Sequence, residues 1–498
     1  MRDLFLIGFL VSLLLAGFRR PFLFVCAYIY VDIVSPQRLS YYLLSSIPVS
    51  LIVFIAAFLG WAMNDDKSLA KPSPRQVVLI LLLLLCGYTT LTADHPDAAM
   101  EKWDWVWKAL VFSIFLPMTL FTRARIEGVL LFMLLCLSSI AVVGGAKTLA
   151  GGGGYGTLNL MVANNSGMYE SSTISAFAIC SIPLILYMAK YSTLVPPSIF
   201  ARVYWYALAF ACLLIPIGTQ TRTGLLCIVL MALLELRAAK RRMLYLGIMV
   251  GIVAAGVPFL PKSYTERMDT IQGYQADASA STRLAVWKWT INYAGSHPFG
   301  GGFNAYIGNK LEIDMSYKTA DGTVVKVVGY DQGRSFHNAY FEMLGEQGYP
   351  GLALFLIVHL VGIFRMEIVR RAYKKEEGPN AWVAPLAAAL QHAHLIFMLG
   401  CSFVGIAFQP YIYFIIAVEI AFDRYVQTYV KKKVWNPFRR RRRDIEAAEA
   451  KAAIEAEAAA EAAAAESEPE PDPEPTRGFA RAGEHRRTQP RWGTTSGK

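Results

Sequence analysis

Charge is what this sequence has least of. Only 17% of its 498 residues are Asp, Glu, Lys or Arg, while 55% are hydrophobic and the mean hydropathy is +0.38. A water-soluble chain of this length needs a more polar surface to close over its cores, so the apolar excess requires a bilayer as second solvent. Cysteines with metal-type spacing are missing too: Cys26, Cys86, Cys136, Cys180, Cys212, Cys227 and Cys401 each lie in an apolar stretch and read as small core hydrophobes. No Asp-x-Asp motif stands on the outer side, and Asp94-His95-Pro96-Asp97 reads equally as a turn, so metal catalysis gets little support. The absence of a nucleotide-binding phosphate loop argues against an ATP-driven pump, and the spans hold few charges of the kind that mark ion-coupled pathways. Residues 4–18 lack the basic run and the cleavage site of a secretory signal and read as membrane structure.

What is present is a succession of apolar runs, many near the roughly 20 residues a spanning helix needs. They fall at 4–18, 21–35, 42–62, 77–92, 103–121, 126–145, 171–189, 203–218, 223–236, 243–260, 340–364, 383–403 and 407–426. The predicted fold is an all-α polytopic membrane protein with twelve or thirteen transmembrane helices and one long outward-facing loop containing short helices. Alternate connections carry Arg19/Arg20, Lys67/Lys71/Arg75, Arg123/Arg125, Arg237 to Arg242 and Arg365 to Lys375, so that side is expected to be cytoplasmic. These basic loops account for the net charge of +11 without a nucleic-acid partner. The expected division is 1–260, N-terminal helices; 261–337, the outer loop; 338–430, C-terminal helices; and 431–498, a cytoplasmic charged tail. The tail joins an arginine cluster to an Ala/Glu-rich stretch of high helix propensity and a Pro/Glu run whose composition predicts disorder.

Three outer connections hold the chemistry-bearing residues. Arg222, in Thr219-Gln220-Thr221-Arg222-Thr223-Gly224, stands at the mouth of a span, either as an anion clamp or as a snorkelling interfacial arginine. Ser281-Thr282-Arg283, followed by Trp287 and Trp289, reads as the start of an amphipathic helix along the membrane surface, capped by Ser281 or Thr282. Arg283 would then meet an anion near free backbone N–H groups, or be a solvated surface residue. The loop closes on Ser335-Phe336-His337-Asn338-Ala339-Tyr340-Phe341-Glu342, where His337 is suited to move a proton or is an interfacial histidine without catalytic role, and Asn338 and Glu342 could orient it or satisfy other polar groups. His392 and His394 read as packing or internally hydrogen-bonded residues, and His95, His297, His359 and His485 are assigned no role.

Together these pieces resemble the O-antigen ligase and polymerase superfamily. The run His337-Asn338-x-Tyr340-Phe341-x-x-Leu344-Gly345-Glu346-x-Gly348-Tyr349-x-Gly351 is the most specific. Met1–Leu4, Arg19–Pro21 and Glu266–Tyr274 are most similar to the exosortase-A-system-associated O-glycosylation ligases. The resemblance covers residue 1 to about 425 and implies a metal-independent, inverting glycosyltransferase without cofactor. It further implies an undecaprenyl-diphosphate-linked glycan as donor, an acceptor glycolipid, polysaccharide or protein, and a bacterial inner-membrane protein whose active site and long loop face the periplasm. Arg222, Arg283 and His337 match the family's essential arginines and histidine: the arginines would hold the diphosphate and His337 would act as base or acceptor holder. Lys108, in a span after Trp103, Trp105 and Trp107, is a further candidate for the diphosphate. Two places depart from the pattern: the surroundings of Asn164-Asn165, and residues 310–334, where 324–328 suggests a short strand. The alternatives are a repeat-unit polymerase of the same superfamily and a transporter of lipid-linked polysaccharide. A transporter should show deep charges and internal repeats, neither of which stands out.

Overall fold

The computed structural model describes residues 2–40, 43–44, 47–65, 67, 72–150, 168, 170–238, 241–244, 246–247, 251, 278–318 and 324–430. The Asn164-Asn165 segment, the Glu266–Tyr274 segment, most of the predicted span 243–260 and the tail lie outside them.

The described chain is a helix bundle with one polar insertion. Its helices are α1 (Arg2–Arg19), α2 (Phe22–Val34), α3 (Val49–Asn64), α4 (Pro74–Leu91), α5 (Pro96–Thr119), α6 (Arg123–Ala150), α7 (Ser171–Tyr191), α8 (Ile199–Gly218), α9 (Arg222–Ala238), α10 (Ala278–Ser296), α11 (Ala339–Tyr373), α12 (Val383–Gly400) and α13 (Pro410–Tyr425). All but α10 coincide with predicted spans. By length and composition, six helical stretches among the described residues can cross a membrane, and α2 and α3 are shorter apolar helices.

Local chemistry sets the helix ends. Ser73 and Gln76 form a capping box before Pro74 at the first position of α4. Ser198 caps α8, and Asn338 accepts from the backbone N–H groups of Tyr340 and Phe341 to start α11. Along α13 every residue from Tyr411 to Phe422 is buried, which makes it the central helix of the bundle. Outer helices instead expose large apolar residues, among them Ile55, Leu84, Phe200, Val203 and Phe210, as a lipid-facing surface does.

The basic residues assigned to cytoplasmic connections gather at one end and are paired there. Arg125 meets Asp65, Arg365 meets Asp423, and Arg237, Arg370 and Arg371 share Glu367. Glu127 accepts from Arg123, Tyr187 and Thr193 together. Deeper in the bundle a buried polar chain runs from Arg75 to Glu419 (2.8 Å), on to His394 (2.8 Å) and to His359 (2.6 Å). His394 is therefore internally hydrogen-bonded as expected, whereas the participation of Arg75, Glu419 and His359 was not legible in sequence.

At the opposite end sits the insertion. It holds one 19-residue helix, α10, a 3-10 turn at Ala305–Gly308, and an antiparallel hairpin of β1 (Lys310–Lys318) and β2 (Val324–Gln332). The strand suggested at 324–328 is part of β2, and its partner β1 makes it a two-stranded sheet beside the helical pieces. The insertion is locked to the bundle by interleaved glycines. Gly348 adopts φ 66°, ψ −165°, which breaks α11 and frees carbonyls that Gly301 N and Gly302 N take from Gly345 and Glu346, both at 3.0 Å. A side chain at Gly348 would strike the Pro298 carbonyl, and this backbone region is essentially reserved for glycine. Gly348→Ala is therefore expected to cost about 2–3 kcal/mol. Thermal unfolding of the purified protein in detergent should show it as a lower midpoint; an unchanged midpoint would contradict the lock.

Candidate functional site

The site begins at a tight turn. Helices α8 and α9 are joined by Thr219-Gln220-Thr221, in which Gln220 takes φ 52°, and Arg222 follows as the first residue of α9. Close approach makes the turn possible: a side chain at Gly224 would meet Pro216, and one at Gly218 would meet Thr148 of α6. Thr219 Oγ1 lies 2.7 Å from Ser175 Oγ, which docks the turn on the first turns of α7. Just before them, Glu170 caps α7 by accepting from Thr173 N at 2.6 Å.

The second wall comes from the insertion. Trp287 of α10 donates from Nε1 to the Phe336 carbonyl at 3.0 Å and stacks on Phe341, ring centroids 5.1 Å apart. Arg283 lies one helical turn earlier on the same face, so the contacts that anchor Trp287 bring Arg283 beside residue 337. His337 itself has φ 45°, in the left-handed region. Its successor is pinned, because Asn338 Nδ2 donates to the Ser402 carbonyl (2.8 Å) and Ala339 N to the Cys401 carbonyl (2.8 Å). Strain of this kind, held by its surroundings, recurs at functional sites. Here two of the four non-glycine residues with positive φ among the described residues, Gln220 and His337, flank the candidate site.

The imidazole is open to the outside on one side, with Nε2 3.0 Å from Ser335 Oγ; either can donate, depending on the tautomer. Partial desolvation first, then the nearby Arg283, lowers its pKa below the ordinary 6.5, with Arg334 adding to the effect and Glu170 opposing it. The neutral imidazole is thus favoured, between two arginines that lower its pKa and one carboxylate that raises it.

Arg283 and His337 are thus brought together. Arg222 lies at the same end of the bundle, on the turn docked to the helix that Glu170 caps. The expected cap at Ser281 or Thr282 is corrected: α10 starts at Ala278, which puts both residues inside its first turns. Of the two roles open to Asn338 and Glu342, orienting the imidazole or satisfying other polar groups, the contacts show the second. Asn338 caps α11, and Glu342 accepts from Ala407 N at 3.0 Å and from Lys102 at 2.6 Å.

Lys108 has its partner on its own helix. It pairs with Asp104 of its own helix at 3.0 Å and lies over the Trp107 ring. The lysine that reaches the closing motif is Lys102, which bridges Glu342 and Glu346 at 2.6 and 2.8 Å and lies 5.4 Å from the Phe303 ring centre. Glu346 also accepts from Asn304 N at 3.0 Å, so the knot ties α5, α11 and the insertion. Lys102→Met would leave two buried carboxylates facing one another, at an expected cost of about 3–5 kcal/mol. A detergent melt should fall accordingly, and Glu346→Gln in that background should recover part of the loss. Equal melting of Lys102→Met and wild type would show that the knot contributes nothing.

Sequence reasoning missed Lys102 and Glu170. The signal for Lys102 was present in the acidic pair Glu342/Glu346, four residues apart on one helix face and in need of a cation.

Apolar helices long enough to cross a bilayer, around a polar candidate site at one end of the bundle, define a multi-pass membrane protein. Residues 207–356 match the family model described as O-Antigen ligase, and residues 1–193 match one described as a family of unknown function (DUF5935). The first match, over residues 207–356, contains Arg222, Arg283 and His337; that part of the chain is similar to the O-antigen ligase family, a likeness that points to a glycosyltransferase-like enzyme of polysaccharide biosynthesis. No curated protein matches the chain.

Proposed function

We propose that this protein transfers a glycan from an undecaprenyl-diphosphate carrier to an acceptor hydroxyl on the periplasmic face of the bacterial inner membrane. The acceptor is a glycolipid, polysaccharide or protein, and the C-terminal tail is cytoplasmic. The observation that carries this reading is the juxtaposition of a neutral His337 with Arg283, at the bundle end where Arg222 opens α9. His337 takes the proton of the acceptor hydroxyl as its oxygen attacks the anomeric carbon. The bond from that carbon to the diphosphate oxygen breaks with inversion, and undecaprenyl diphosphate departs with its charge held by Arg222 and Arg283. The energy is already stored in the sugar–diphosphate bond, and the residues assigned suffice without a metal. Among the exosortase-associated relatives the likeness of the opening residues supports the same ligase role.

Ligation rather than polymerisation is tested by the phenotype of an inactive variant. A strain carrying His337→Ala should accumulate full-length lipid-linked glycan that stays unattached. Accumulation of single repeat units instead would assign the protein to chain elongation.

A further inference from the structure

A second feature lies on the membrane flank of the same end. Helices α1, α2 and α6 enclose an apolar cleft of about 500 Å³, within the range of about 300–1,000 Å³ usual for small-molecule sites. Aromatic rings supply much of its wall: Phe9 and Tyr30 meet edge to face, 4.8 Å between centroids, opposite Phe132 of α6. Leu135 and Val143 on its rim are exposed, so the cleft opens sideways, towards lipid. Ser139 turns its hydroxyl inward to the Cys136 carbonyl, which leaves that wall without an open polar group.

One charged residue lines the cleft. Lys147, in the last turn of α6, is half-buried and forms no ion pair among the described residues. An ammonium at a membrane boundary is stabilised by an anionic partner, while its stem packs along apolar surface. Its position in the chain is informative. The next residue is Thr148, against which Gly218 packs, and Gly218 leads directly through Thr219–Thr221 to Arg222. The charged end of the cleft therefore lies at the same level of the bundle as the turn that carries the proposed diphosphate clamp.

We propose that this cleft is the seat of the polyprenyl chain of a diphosphate-bearing lipid, with Lys147 receiving the phosphate nearest the chain. Branched, unsaturated isoprene units suit an apolar wall set with Phe5, Phe9, Tyr30 and Phe132, and a chain lying here brings its headgroup to the level of the Arg222 turn. Lipid tails gain little from leaving other lipid, so selectivity rests on the fit of the chain and on the charge at the end. The identity of the lipid rests on the glycosyl-transfer reading above; the existence of the site does not.

The test uses the full chain in nanodiscs of neutral lipid and a photoactivatable undecaprenyl diphosphate without glycan, with adducts mapped by mass spectrometry. Adducts are expected on the α1 and α6 faces of the cleft, competed by unlabelled undecaprenyl diphosphate and not by phosphatidylglycerol. Leu135→Trp, which fills the cleft, should cut labelling about tenfold, because overfilling a packed apolar site spoils the fit of the chain. If that variant does not fold, Ser139→Trp on the same face gives the same comparison. Lys147→Gln should weaken labelling by the diphosphate probe about fivefold, the contribution of one cation to an anionic lipid, and leave labelling by uncharged polyprenol unchanged. Equal competition by phosphatidylglycerol would mean ordinary bilayer lipid only and overturn the proposal, as would adducts confined to other helices. His337→Ala should label like wild type. Loss of attachment in that variant without cleft labelling in any form would refute the cleft and leave the transfer reading intact; cleft labelling with normal attachment would do the reverse.

Discussion

Replacing His337 with alanine is expected to lower glycan transfer by about 10²–10⁴-fold, the usual contribution of a general base. The protein should remain inserted, because the residues that hold the loop closed are its neighbours: Asn338 caps α11 and Trp287 grips the Phe336 carbonyl. The pH profile gives a sharper readout. A histidine acts as base only when neutral, and burial and Arg283 lower the pKa of His337 below 6.5. The neutral form therefore predominates at pH 7, and activity should fall as the medium is acidified through that lowered value. Transfer measured in membrane vesicles between about pH 5 and 8 should show an acid limb centred below the ordinary histidine range. A limb above pH 6.5 would show that the neighbouring carboxylate Glu170, not Arg283, governs the imidazole.

The second large effect concerns the arginines. Arg222→Ala and Arg283→Ala are each expected to reduce turnover by about 10²–10³-fold, as loss of a donor to a developing oxyanion does. Lysine at either position keeps the charge but loses the planar fork that fits two phosphate oxygens, so it should rescue only in part. Arg283→Ala carries an additional signature. Removing this cation relieves the electrostatic lowering of the His337 pKa, so the acid limb of the remaining activity should move to higher pH. Arg222→Ala should leave the limb where it is if Arg222 acts on the donor alone. Full activity of either alanine variant would remove that residue from the mechanism.

The membrane helices were legible because an apolar run near the bilayer's thickness has few other uses, and the basic ends of the helices gave their common direction. The site was legible where one short segment carries both the motif and its geometry, as at His337 and the Arg222 turn. Contacts between distant segments were not. Lys102 and Lys108 are the same residue type six positions apart on α5, and only the packing of α5 against α11 decides which one meets Glu342 and Glu346. Gly300 and Gly348 are each weak signals; their meaning is that each lies in the space a side chain at the other would need. The first strand of the hairpin did carry a signal, since Leu311, Ile313, Met315 and Tyr317 alternate with polar residues, but its pairing to 324–332 is what makes it a sheet. The start of α10 was misplaced because Ala278-Ser279-Ala280 continues the helix beyond the expected Ser281 or Thr282 cap.

The central claim is that a residue from the bundle and a residue from the loop hold one diphosphate between them. A double-mutant cycle on Arg222 and Arg283, with undecaprenyl diphosphate binding to the purified protein as the readout, tests it most directly. If both arginines grip the same diphosphate, the two single substitutions should be coupled by about 0.5–3 kcal/mol, the double variant losing less affinity than the sum. Strictly additive losses would mean separate ligands or indirect effects, and would contradict a shared site.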